Sequence, residues 1–162
     1  MPRAIWLLLA AVLTGAAIGG CGAEAGERSS GSISSHDMGV LDEIHSHARD
    51  WNKAAEPWVK AANSGDVDRF QRVHLDAIRP LDRASSSIES GAHQITDRAL
   101  REAVLPIGAG YREEFEAMVD IAGASSTEEV DEALKSLRTA LRRKSSAVNR
   151  LGDRFPELGR DF

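Results

Sequence analysis

DMGVLDEIHSHARDWNKAAEPWVKAAN, residues 37–63, is the stretch whose reading decides the fold. Leu41, Ile44, Ala48, Trp51, Ala55, Trp58 and Ala62 step by three and four residues without a break. Side chains three and four apart stack over one another on a helix, so all seven share one face. The opposite line, Glu43, Ser46, Asp50, Lys53, Pro57 and Lys60, is polar except for the proline. A helix with one apolar stripe has to bury it against another element. Aromatic residues make up 5% of the chain and β-branched runs are thin, so that element is expected to be more helix.

Three further segments repeat the pattern. Over 67–90 the apolar line is Val67, Phe70, His74, Ala77, Leu81, Ala84 and Ile88, with Asp66 as N-cap and Gly91 as terminator. Over 97–122 it is Leu100, Val104, Ile107, Tyr111, Phe115, Met118 and Ile121 or Ala122. Thr96 is the expected N-cap there, and Ile95 with Leu100 the hydrophobic staple. The last segment opens on a capping box, Ser126 with Glu129. It carries Val130, Leu134, Leu137, Leu141, Ser145, Val148, Leu151 and Phe155, and Pro156 stops it. Short turns between helices of similar length force neighbours to run antiparallel. The predicted fold is therefore all-α: an antiparallel up-down-up-down four-helix bundle over 36–155, with a C-terminal tail over 156–162.

Ahead of the bundle the composition changes twice. GAEAGERSSGSISS, residues 22–35, is rich in Gly, Ser and Ala without apolar periodicity and reads as a flexible tether. Before it, Arg3 precedes an apolar run from Ala4 to Ala17, too short to span a bilayer as a helix and sized like an export-signal core. The run closes on Ile18-Gly19-Gly20-Cys21, and Cys21 is the only cysteine. An aliphatic residue three places before a cysteine, then two small residues, resembles the bacterial lipoprotein signal peptide. That resemblance covers residues 1–21 and implies a signal peptide over 1–20, with cleavage between Gly20 and Cys21. It also implies a diacylglycerol thioether on the Cys21 sulfur, N-acylation of the new terminus, and a lipidated tether over 21–35. Gly22 stands where an acidic residue would direct retention in the inner membrane, so the resemblance favours the outer membrane of a two-membrane cell.

Loss of the leader would remove one cation, Arg3, leaving 19 Lys and Arg against 25 Asp and Glu, a net charge of −6. That balance argues against a nucleic-acid partner, which requires a basic face. With no second cysteine, no intramolecular disulfide can form, and the fold has to hold by core burial.

Candidate chemistry is sparse. Asp42, Glu43, His45 and His47 form the densest cluster of metal-ligating types, but without the paired Glu-x-x-His motifs of di-iron bundles, and the expectation is no metal. Haem binding lacks Cys-x-x-Cys-His, no nucleophile elbow is present, and no cofactor or catalytic residue is expected. His74 interrupts an apolar line, and counting along antiparallel helices sets Glu114 and Glu56 near its height, a candidate ligand layer. Pro80 and Pro106 fall at similar heights by the same counting and would kink a waist that opens a cavity. Lys135, Arg138, Arg142 and Arg143 make a basic stripe suited to anionic lipid, wall polymer or an acidic partner.

Two readings follow. One is a lipid-anchored, non-enzymatic bundle of the cell envelope that binds or scaffolds another envelope protein or wall component. The alternative is a bundle that binds a small ligand or metal at the waist near Pro80 and Pro106 or at the His74 layer.

Overall fold

The computed structural model describes residues 33–64 and 66–158. Four α-helices follow in order: α1 Ser35–Ser64, α2 Val67–Gln94, α3 Arg98–Gly123 and α4 Thr127–Arg154. A short 3-10 turn, Pro156–Leu158, closes the described chain. At 1.5 Å per residue the helices are about 39–45 Å long.

Local chemistry fixes most of the helix ends. Ser34 starts α1, its hydroxyl accepting from Asp37 N at 3.0 Å. Asp66 caps α2 as expected, accepting from Arg69 N at 2.9 Å. Ser126 caps α4 by accepting from Glu129 N at 3.2 Å, while the Glu129 carboxylate reaches back to Ser125 N at 2.6 Å. Two ends differ from expectation. α3 is capped by Asp97, which accepts from Leu100 N at 2.7 Å, because Thr96 is engaged elsewhere. α2 does not end at Gly91 but runs to Gln94. Gly91 is a packing glycine: a Cβ there would meet Ile44 Cγ1 at 2.9 Å, so its small size lets α1 and α2 close on each other.

Facing pairs show that consecutive helices run antiparallel. Trp58 faces His74 while Ile44 faces Gly91. Arg112 reaches Asp82 while Gly108 lies on the backbone of Glu89. Glu113 meets Arg143 across α3 and α4. Packing is between consecutive helices; no Cα of α1 comes within 8 Å of one in α4. Across the core, Trp51 on α1 meets Tyr111 on α3 edge-on, with centroids 5.4 Å apart.

One core takes residues from all four helices, including Leu41, Ile44, Trp58, Leu81, Ile88, Leu100, Ile107, Val130 and Leu151. The α1 line is buried throughout except for Ala55, which is half-buried. On α4 the expected line is wrong at Ser145, which is exposed. Ala140 and Ala147 are buried instead, and Lys144 is half-buried between them. The helices run without interruption through Pro57, Pro80 and Pro106, all three of them exposed. The α2–α3 register sets Pro106 level with the region of Ser90, about ten residues from Pro80, or on the order of 15 Å along the axis. The two prolines therefore do not share a waist. Ile33 and Leu158 pack against the core, extending the bundle beyond both expected boundaries.

Candidate functional site

The expected lipid-attachment site, Cys21 with the cleavage residue Gly20, lies outside the described residues, as do the leader and most of the tether. What the structure describes is how the bundle handles its buried polar groups. Asp37, His74 and the Glu114–Lys144 pair tie one element to another, whereas buried Ser85 donates to Asp82 O within α2 at 3.0 Å.

The three residues of the candidate ligand layer do not come together. His74 is half-buried, and its Nδ1 accepts a hydrogen bond from Trp58 Nε1 at 3.2 Å, joining α2 to α1. Burial pushes its pKa below the ordinary histidine value. Phe70 stacks on its ring at 6.2 Å and meets Trp58 edge-on at 5.1 Å. Glu56 is exposed and pairs with Lys60 one turn along the same helix at 2.5 Å. That hydrogen bond and the lysine's charge lower the Glu56 pKa. Glu114 is buried, but the register sets His74 level with the segment near Ala122, about two turns of α3 away. Heights counted along the sequence differ from these because α2 runs past Gly91 to Gln94.

Glu114 has a different partner. Its Oε1 lies 2.6 Å from Lys144 Nζ on α4, with side-chain exposures of 5% and 17%. The same ammonium sits 4.0 Å from the centre of the Tyr111 ring. Burial raises the Glu114 pKa above the carboxylate norm, and the attraction of Lys144 opposes this without cancelling it. Burial and the nearby Glu114 charge push the Tyr111 phenol to about 12. Gly110 makes the arrangement sterically possible, since a Cβ there would stand 2.8 Å from Lys144 Cβ.

A second buried acid, Asp37, ties the first turn of α1 to the α2–α3 loop. Its carboxylate accepts from Thr96 N at 2.6 Å, from the Thr96 hydroxyl at 3.0 Å and from Asp97 N at 3.1 Å. Burial acts upward on its pKa, but these bonds together with one to Ser34 outweigh it, and the net shift is downward.

Reading the sequence singled out neither Asp37 nor Lys144, although both carried a signal. Asp37, Leu41, Ile44 and Ala48 continue one stepping, and Val130, Leu137, Lys144 and Leu151 are spaced by seven. A charged residue on a core line requires a partner.

Two grooves run along the outside. One, of ≈ 490 Å³, lies between α1 and α2 and includes Glu43, His47, Arg83 and three serines. The other, of ≈ 390 Å³, lies between α3 and α4 over Pro106, Ala109 and Gly110, with Arg142, Arg143, Ser146 and Arg150 on its α4 wall. Among the described residues no group of three or more His, Cys, Asp or Glu is arranged to hold a metal ion. Among them, too, no helix is long and apolar enough to cross a membrane. No protein-family model, curated protein or solved structure matches the chain.

Proposed function

We propose that this chain is a lipid-anchored, non-enzymatic helical-bundle protein of the bacterial cell envelope, held to a membrane through Cys21, that binds or scaffolds an envelope protein or wall component. The observation that carries the reading is Ile18-Gly19-Gly20-Cys21, closing an apolar run ahead of a bundle that begins at Ser35. The use of the buried polar groups supports a scaffold. Asp37, His74, Glu114 and Lys144 each hold one helix to another rather than facing a shared cavity. The alternative, a bundle that binds a small ligand or metal at the waist near Pro80 and Pro106 or at the His74 layer, draws less support, because His74, Glu114 and Glu56 each pair with a different residue.

Growth of cells expressing the protein with a radioactive fatty acid tests the anchor. Label is expected on the wild type and lost in Cys21→Ala, since no other thiol can accept the lipid. Label retained on Cys21→Ala would refute the reading. Crosslinking and pull-down from native membranes would then identify the scaffolded component.

A further inference from the structure

We propose that the outward face of α4 from Lys135 to Arg154 is an electrostatic docking surface for anionic phospholipid headgroups, so that the bundle lies on its side against a membrane. The proposal rests on the anchored reading above. Between Glu132 and Asp153 the helix contains no acid, while Lys135, Arg138, Arg142, Arg143, Arg150 and Arg154 are all exposed on it. Lys135 pairs with Glu132 and Arg143 with Glu113. Arg138, Arg142 and Arg150 form no ion pair among the described residues, and the last two line the rim of the open α3–α4 groove. The other exposed residues between the cations are Ser136, Thr139, Ser145, Ser146, Asn149 and Asp153, short enough for guanidinium groups to reach a flat surface.

The chemistry selects headgroup contact over insertion. α4 exposes no large apolar side chain; those exposed among the described residues are Met38 and Leu75, on α1 and α2. A helix that enters the acyl boundary needs such residues, whereas one held by charge does not. The chain as a whole is acidic, and the exposed arginines of α2 alternate with Asp68, Asp76 and Asp82, so a negatively charged plane favours the acid-free stretch of α4. The up-down-up-down order sets the C-terminus of α4 at the same end as Ser35. Residues 22–34 reach at most about 45 Å even fully extended. That length is close to the length of α4 itself, so an anchored bundle keeps this face within reach of the bilayer.

The test uses the chain from residue 21 onward carrying Cys21→Ala, so that neither lipid nor the apolar leader contributes, in co-sedimentation with vesicles of phosphatidylcholine and phosphatidylglycerol in equal parts. Arg142→Gln/Arg150→Gln should weaken binding roughly thirtyfold at low salt, at about fivefold per cation near a charged surface. Arg72→Gln/Arg79→Gln, an equal charge change on α2, should leave binding nearly unchanged. Binding should fall for all variants on pure phosphatidylcholine. Equal melting temperatures of the two double variants exclude unfolding as the cause. Equal binding by both, or binding indifferent to lipid charge, would overturn the proposal. Stronger retention by a polyphosphate-repeat wall polymer than by vesicles of equal phosphate content would assign the face to the wall and overturn the lipid assignment. Because every variant lacks Cys21, failure here leaves the anchor untouched, and persistent fatty-acid label on Cys21→Ala leaves the vesicle result untouched.

Discussion

Lys144→Met isolates the buried charge that holds α3 to α4. Methionine keeps the stem against Tyr111 and Gly110 and removes only the ammonium. Glu114, at 5% side-chain exposure, then has no counter-charge and little access to water. A buried carboxylate in that position escapes by taking a proton. The cost of doing so sets a ceiling on the destabilisation. It grows by about 1.36 kcal/mol for each pH unit above the unfolded value of 4.5. At pH 7 the ceiling is about 3.4 kcal/mol, and at pH 5 about 0.7 kcal/mol. The wild type already bears part of this cost, because its own Glu114 pKa is raised by burial. The expected loss is therefore about 2–3 kcal/mol at pH 7, at the lower edge of what breaking a buried pair removes.

The sign follows from linkage. A carboxyl whose folded pKa is raised binds its proton more tightly in the native state. Its stabilising contribution is full below the unfolded value and fades as pH climbs through the folded one. Removal of Lys144 moves that folded value further up, so the gap between variant and wild type widens from pH 5 to pH 8. Urea denaturation at each unit of pH measures it. Glu114→Gln in the Lys144→Met background should flatten the pH dependence, because no carboxyl remains to titrate. A gap constant across that range would show that Glu114 is not buried beside Lys144 in solution.

Asp37→Ala should cost about 1.5–3 kcal/mol by thermal or urea melting, since a charged acceptor leaves Thr96 and Asp97 donors without it. Because the folded Asp37 pKa is lowered, its contribution is present above the unfolded value of 3.8 and should disappear as pH falls through the folded one; a wild-type loss between pH 3 and 5 no larger than that of the variant would contradict this. Gly110→Ala should destabilise by about 1–3 kcal/mol by pressing on Lys144, whereas Gly39→Ala, with open space around its Cβ, should stabilise by about 0.5–1 kcal/mol; equal effects would argue against the α3–α4 contact. His74 has a lowered folded pKa, so its share of stability is present above about 6.5 and lost as pH falls below it; His74→Leu should remove that acid sensitivity in melts taken from pH 5 to 8, and parallel curves would place the ring in water.

The architecture was legible because α1 carries an unbroken apolar line and the caps at Asp66 and Ser126 use local rules that need no neighbour. Gly91 was not legible, because whether a glycine ends a helix or admits a neighbour depends on Ile44, 47 residues earlier. Ser145 was misplaced because the α4 line breaks its alternation there with two steps of four, Leu137 to Leu141 to Ser145, and so passes over the charge at Lys144. On the true period the buried line passes through Lys144, seven residues from both Leu137 and Leu151.

The α3 line holds a parallel case. Ile107, Tyr111, Glu114, Met118 and Ile121 keep the stepping better than Phe115 does, yet an apolar neighbour made Phe115 the natural choice. Both are buried. Asp37, His74, Glu114 and Lys144 are thus four polar residues on apolar lines, and each ties one helix to another. A pattern search for core residues passes over them, while a search for polar residues at core positions finds all four. Their pairing stays hidden, because it depends on the relative heights of the helices. Those heights are tied in turn to the pairs. Sliding α4 by one turn along α3 would move Lys144 about 5.4 Å from Glu114 and leave two charges buried alone, at a cost of several kcal/mol. Apolar burial between Leu, Val and Ala is non-directional and penalises such a slip less sharply than two stranded charges do. The ion pair therefore contributes less to total stability than to selecting one register among several that the apolar core alone would tolerate. The double variant Glu114→Leu/Lys144→Met should accordingly melt near the wild-type temperature while showing broadened amide resonances along α4. Sharp resonances in that variant would mean that shape alone sets the register.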